Sequence, residues 1–304
     1  MLSRRALLTL PASAALAGQV QGPPRTSPGS QKMHLCVHQT TSAAAGYRKS
    51  LEGYSKAGIR FVEVIPQHVD EFVKQEGMPA ARRLLADLGI KAASSGGVRG
   101  LAEPNPKRAE AIEQLKARVA VCAELGVDRM VCPCGTTEKY TLDDYKRGVE
   151  NLREAGEIAK PYGVALMVEF MRGSTFIGTL PTSLDMTRRA AHPFVKPMFD
   201  FYHFWAGLSR FEDIELIREG EIHHVHFQDV PDIPREMLDN GTRNIPGEGI
   251  VPLEKTLRAL DRKGYRGPIS VELFYPELQK ADPYEVASRI RRQSEPIMRR
   301  AGVA

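Results

Sequence analysis

The 304 residues are 42% hydrophobic, enough to bury one large α/β domain or two ordinary ones. The formal net charge is +5, and removal of Arg4 and Arg5 would leave +3, too weak a field to argue for nucleic acid or an anionic membrane as a partner. No apolar run reaches the length of a transmembrane helix.

Residues 1–17 read as an export signal of the twin-arginine type. Arg4-Arg5 precedes a short apolar stretch, and Ala15-Leu16-Ala17 fits a small-x-small cleavage site. The expected destination is the periplasm or the outside, with no membrane attachment after cleavage. Residues 18–32, rich in Pro, Gly, Ser and Gln, read as a disordered linker.

From Lys32 onward strand-like and helical stretches alternate eight times. The expected strands and helices are His34–His38 and Gly46–Ala57, Phe61–Ile65 and Val69–Leu88 (broken at Gly77-Met78-Pro79), Lys91–Ser94 and Pro106–Leu125. Arg129–Cys132 follows, then a helix from Leu142 with Thr141 as N-cap and Asp143 and Asp144 in its first turn. The last four strands are Gly163–Glu169, Val195–Asp200, Ile222–His226 and Pro268–Glu272, with helices at Leu184–Ala191, Arg210–Arg218, Leu253–Lys263 and Pro283–Arg300. Eight such units imply a single-domain α/β fold, a closed (β/α)8 TIM barrel over residues 33–304. No Gly-rich phosphate fingerprint follows the first strand, which argues against a dinucleotide-binding sheet. Cys36, Cys122, Cys132 and Cys134 do not form a disulfide framework and are expected to be buried thiols.

Each of the last four strands ends on a residue that can bind a metal: Glu169, Asp200, His226 and Glu272. Buried parallel strands read as continuous apolar runs. A charged residue closing such a run stands at the strand's C-terminal end, where barrels build their chemistry. Three carboxylates and one imidazole suit one divalent cation, Mn²⁺ first, with Mg²⁺, Zn²⁺ or Co²⁺ as alternatives. Glu63 and His224 read as inward structural groups, and Trp205 as an apolar wall or a core residue.

These residues carry a resemblance to the xylose isomerase-like superfamily of sugar isomerases and epimerases, which binds one divalent metal through Glu, Asp, His and Glu on strands 5 to 8. Asp200-Phe-Tyr-His203 is similar to its Asp-x-x-His, and Arg243-Asn-Ile-Pro-Gly-Glu-Gly249 to its Arg-x-x-Pro-Gly-x-Gly loop. Leu35–Thr41, His203–Gly207 and Gly264–Phe274 resemble inosose (2-keto-myo-inositol) isomerases, with His38 where Asn is expected and a long insert between His226 and Arg243.

The resemblance implies a metal-dependent isomerase or epimerase of a keto-sugar or keto-inositol, working by proton abstraction beside a metal-bound carbonyl through an enediolate. Glu169 and Glu272 would be base and acid, Asp200 and His226 structural ligands, and His203 and Arg243 substrate-binding. A lyase or dehydratase acting on a 3-oxo-sugar or 3-oxo-glycoside shares the opening step. Related barrels also form dimers or tetramers. A DNA-repair phosphodiesterase with the same barrel is disfavoured, because strand 3 ends in Ser94-Ser95 and no Asp-x-His separates His226 from Glu272.

Overall fold

The structure, a computed structural model, describes residues 32–304. The expected export signal (1–17) and, apart from Lys32, the expected linker (18–32) lie outside the described residues. The strands are β1 His34–His38, β2 Phe61–Val64, β3 Lys91–Ser95, β4 Arg129–Pro133, β5 Ala165–Glu169, β6 Val195–Pro197, β7 Phe199–Asp200, β8 Val225–His226 and β9 Pro268–Val271. All their pairings are parallel, in the order β6-β5-β4-β3-β2-β1-β9-β8-β7. β6 and β7 are two pieces of one stave parted at Met198, so the nine strands close as an eight-stave barrel. Pro197 supplies no ladder N–H, which is the local reason for the break.

Ten α-helices are described: α1 Gly46–Lys56, α2 Pro66–Glu76, α3 Met78–Asp87, α4 Arg108–Leu125, α5 Leu142–Ala159, α6 Leu180–Ala190, α7 Phe201–Ala206, α8 Leu253–Arg262, α9 Pro276–Lys280 and α10 Pro283–Ala301. The Thr141 side chain takes the Asp144 N–H and Asp144 takes the Thr141 N–H, the reciprocal cap the local sequence encodes. α4 stops where Gly126 adopts φ 83°.

Three expectations are corrected. The helix expected from Leu184 starts at Leu180, because Thr179 caps it by accepting from Thr182 N and Pro181 suits its first turn. The stretch 210–218 is a 3-10 helix, Phe211–Leu216, rather than an α-helix. Asp213 folds back to accept from Arg210 N (2.7 Å), and Glu221 takes the Arg218 N–H (2.9 Å), which ends the turn early. The run from Ile222 pairs as a ladder only at Val225–His226, while the His223 N–H goes to Pro197 O (3.2 Å).

The main core lies between barrel and helices, where Val62, Leu166, Leu115 and Leu152 are buried. Each such side chain contributes about 1.5–3 kcal/mol by leaving water. Val131, Met167 and Met198 form a separate apolar cluster. Their alternation with Glu169 and Asp200 along the strands places them on the lumen side, below the carboxylates. All four cysteines are free and buried. No described helix is long and apolar enough to cross a membrane.

Candidate metal centre and active site

Three of the four predicted ligands close strands β5, β7 and β8, and Glu272 stands one residue past β9. Asp200 also begins α7, so its Oδ1 accepts the His203 N–H (2.6 Å) and its Oδ2 is left to face the barrel axis. His226 Nδ1 lies 3.0 Å from Glu169 Oε1, 3.2 Å from Asp200 Oδ2 and 3.5 Å from Glu272 Oε2. One donor atom from each of the four residues fits within 4.8 Å of the others. Three acceptor-only carboxylates and one ring nitrogen converging at this range form a donor set that fits a divalent cation.

The far side of the His226 ring is held by Glu63, whose Oε2 is 3.2 Å from Nε2. Carboxylates face both ring nitrogens, and a neutral ring whose proton sits on Nε2, toward Glu63, would present the Nδ1 lone pair to a cation in the cluster. Glu63 reaches this place through a bulge. Val62 pairs with Ala92, but Glu63 pairs with Ser94, a slip of one residue. His224 Nε2 binds the same Glu63 oxygen at 2.8 Å, and His38 Nε2 stands 3.8 Å from both Glu63 and Glu272. Glu63 and His224, read as inward structural groups, are inward and fully buried, and Glu63 orients the imidazole of the cluster.

Electrostatics follow from this crowding. Burial opposes charge on His226, yet Glu272 and Glu63 outweigh it and hold the imidazole well above its usual range. Burial would raise Glu63 too, but the surrounding histidines hold it well below the carboxylate range. Burial pushes Glu169 up, with Asp200 and Glu272 adding to the rise. Asp200 and Glu272 resist the same burial because Arg243 and the imidazoles hold both down. His203 is pushed down to about 4 by burial, so its ring is neutral near pH 7.

Arg243 is buried among these groups. Its Nη1 donates to Glu272 and lies 3.4 Å from Asp200 Oδ2, and its Nη2 lies 3.2 Å from Asn240 Oδ1 and 3.1 Å from His203 Nε2. The guanidinium carbon stands 4.5 Å from the centre of the Tyr202 ring and 4.9 Å from that of Phe274, a stacked geometry that favours Arg over Lys. The Arg172 backbone N–H donates to His203 Nδ1 (3.1 Å), so the neutral ring keeps its proton on Nε2. Two N–H donors, His203 Nε2 and Arg243 Nη2, therefore stand side by side at 3.1 Å, and both can donate to one oxygen acceptor set beside the pair.

The loop carrying Arg243 hangs on Asp229, a residue not singled out from sequence. Asp229 accepts the backbone N–H groups of Val230 and Val251 at Oδ1 (2.9 Å each) and of Gly247 and Gly249 at Oδ2 (3.0 Å each). A Cβ at Gly249 would come within 2.0 Å of Val230 O, which explains glycine there. Gln228, also not foreseen, donates to Asp200 Oδ2 (2.9 Å). The signal for both was the polar pair following His226 at the end of an apolar run. Trp205 packs in a small cluster with Tyr202, Val230 and Leu238, and the Arg235 guanidinium from the insert lies 4.9 Å from its ring centre.

Comparison with known proteins agrees with this architecture. Residues 51–293 match the family model of the xylose isomerase-like TIM barrel. An inosose isomerase of Bacillus licheniformis is 30% identical over 259 residues, covering 83% of this chain and 93% of the relative. A 3-dehydroshikimate dehydratase of Pseudomonas putida is 26% identical over 242 residues, 77% of this chain and 37% of that protein. The solved structure of the IolI protein with a bound zinc atom superimposes with a TM-score of 0.82 at 25% identity, covering 88% of this chain and 99% of that one. The chain belongs to the xylose isomerase-like TIM barrel family.

Proposed function

We propose that this enzyme is a divalent-metal-dependent isomerase or epimerase of a keto-sugar or keto-inositol. The observation that carries the reading is the placement of Glu169 and Glu272, from separate staves, at 3.0 and 3.5 Å from the same His226 nitrogen. The names of its relatives, inosose isomerase, 3-dehydroshikimate dehydratase and inosose dehydratase, support the substrate class.

Glu169, Asp200, His226 and Glu272 would hold the cation, with Mn²⁺ our first choice and Mg²⁺, Zn²⁺ or Co²⁺ the alternatives. When bound, such a cation supplies Lewis acidity to a carbonyl and its neighbouring hydroxyl. Glu169 and Glu272 act as base and acid, one removing the carbon-bound proton beside the ketone and the other returning it on the opposite face or neighbouring carbon. His203 Nε2–H and Arg243 Nη2–H donate to the oxygen that gains charge as the enediolate forms. Glu63 keeps the His226 ring in one tautomer throughout. Asp229 holds the loop from which Arg243 projects.

The second reading is a dehydratase or related lyase. It is favoured by the dehydratase relatives and differs only in the substrate, since a leaving group β to the abstracted proton would be expelled from the same enediolate. Incubation of metal-loaded protein with 2-keto-myo-inositol in deuterated water tests both. Deuterium at the carbon beside the carbonyl, lost in Glu169→Gln and in Glu272→Gln, supports the isomerase. Release of water with an unsaturated product supports the dehydratase, and neither exchange nor elimination in any metal-loaded form overturns both.

We also propose export through the twin-arginine segment, so that the enzyme works in the periplasm or outside the cell. Cell fractionation with N-terminal sequencing of the mature chain tests this. A cytoplasmic protein retaining Met1 would refute it.

A further inference from the structure

The rim of the barrel beside Tyr202 carries positive charge that the carboxylate cluster does not use. Arg172 stands just beyond β5, in the loop leading to α6. Its backbone N–H is spent on His203 Nδ1, and its Nη1 lies 3.3 Å from the Tyr202 hydroxyl. Arg243 lies over the face of the same ring. One tyrosine thus supports two guanidinium groups, one at its hydroxyl and one on its face.

The two differ in how they are satisfied. Arg243 is bound by Glu272 and Asp200, whereas among the described residues no carboxylate forms an ion pair with Arg172. Arg99 reaches the same ledge from the loop after β3, with Nη1 3.6 Å from Met171 Sδ, and also lacks an ion pair among the described residues. Its charge is felt by Glu103, which is buried nearby with Oε2 unpartnered. Half-buried arginines on the outer helices are matched differently: Arg188 is gripped by both oxygens of Glu221, and Arg118 by both of Asp70. A guanidinium has five N–H donors in a planar fork that suits carboxylate and phosphate oxygens. Arg172 spends one of its side-chain donors, on a neutral hydroxyl.

We propose that the substrate of this site is anionic, a keto-polyol whose carboxylate or phosphate docks on Arg172 with Arg99 alongside. The inference rests on reading the cluster as a keto-polyol site. An anchored anion fixes one end of the substrate relative to the carboxylate cluster, and so decides which carbon is presented to Glu169 and Glu272. A neutral sugar would leave Arg172 without a counter-charge.

Calorimetry on the metal-loaded protein with D-gluconate, D-glucitol 6-phosphate and neutral D-glucitol tests it, in a buffer free of phosphate and carboxylate. At least one anion should bind about tenfold or more tightly than D-glucitol, the scale of one charge-assisted hydrogen bond. Arg172→Gln should narrow that preference to about threefold or less, and the anion that binds tighter tells carboxylate from phosphate. D-Glucitol binding as tightly as both anions, no binding of any of the three at about 10 mM, or an undiminished anion preference in Arg172→Gln overturns the proposal. The comparison of ligands on the unaltered protein stands even if the variant fails to fold. Solvent exchange on neutral keto-inositol without any anion preference would overturn this inference while leaving the proposed function intact.

Discussion

Glu63 and His226 meet inside the barrel with Oε2 3.2 Å from Nε2, on the opposite side of the ring from the three carboxylates at Nδ1. The imidazole is therefore held between an orienting anion and the cluster. Replacing Glu63 with Gln keeps an acceptor but removes the charge. Divalent-metal affinity should fall about 10- to 100-fold, measured by metal titration of the apoprotein. Affinity unchanged within twofold would show that Glu63 serves only packing.

The cation-free protein should take up metal in competition with protons. Burial disfavours the His226 cation, but Glu272 and Glu63 raise the ring well above its usual value, so Nδ1 must lose a proton before it can bind an ion. Metal affinity should rise with pH, by up to about tenfold per unit while His226 remains protonated. The sign for folding is opposite. The stability contributed by charged His226 is full below its unfolded value near ~6.5 and is lost as pH rises through the higher folded value. Metal titrations at several pH values, with proton release measured in parallel, check this. Metal uptake without proton release would contradict it.

Arg243 lies between the Tyr202 and Phe274 rings at 4.5 and 4.9 Å. Lysine can carry the charge but neither the stack nor the planar fork. Arg243→Lys should lower kcat/KM about 100-fold, a loss typical of one well-placed donor to developing charge. The chemical unfolding midpoint should stay close to that of the parent. A variant within threefold of the parent rate would place Arg243 outside the reaction.

Asp229 gathers three backbone N–H groups from the loop bearing Arg243, those of Gly247, Gly249 and Val251, and a fourth from its own neighbour Val230. Asp229→Asn turns one accepting oxygen into an NH2 group facing two of those donors. The expected cost is about 1–3 kcal/mol, read from urea unfolding. The same variant should lose catalytic rate through a displaced Arg243. Unaltered stability would mean that the loop is held elsewhere.

The barrel was legible because its marks are local. Continuous apolar runs announced buried parallel strands, and a charged residue at the end of each announced the rim, so Glu169, Asp200, His226 and Glu272 could be named from the chain alone. The cap at Thr141 and the stop at Gly126 were legible for the same reason. Residues 210–218 misled because helical composition lost to side-chain bonds from Asp213 and Glu221, the second of which lies outside the stretch.

What the chain alone determined was which residues close which strands. Only the tertiary structure decided that Glu63 faces His226, since a one-residue bulge sets its direction. Tertiary structure likewise brought Asp229 under the Arg243 loop and the Tyr202 and Phe274 rings onto Arg243. The physical reason is that an apolar run reports burial along one segment. Donor atoms from four staves come within 4.8 Å only once parallel pairing closes the sheet and its registers align their ends.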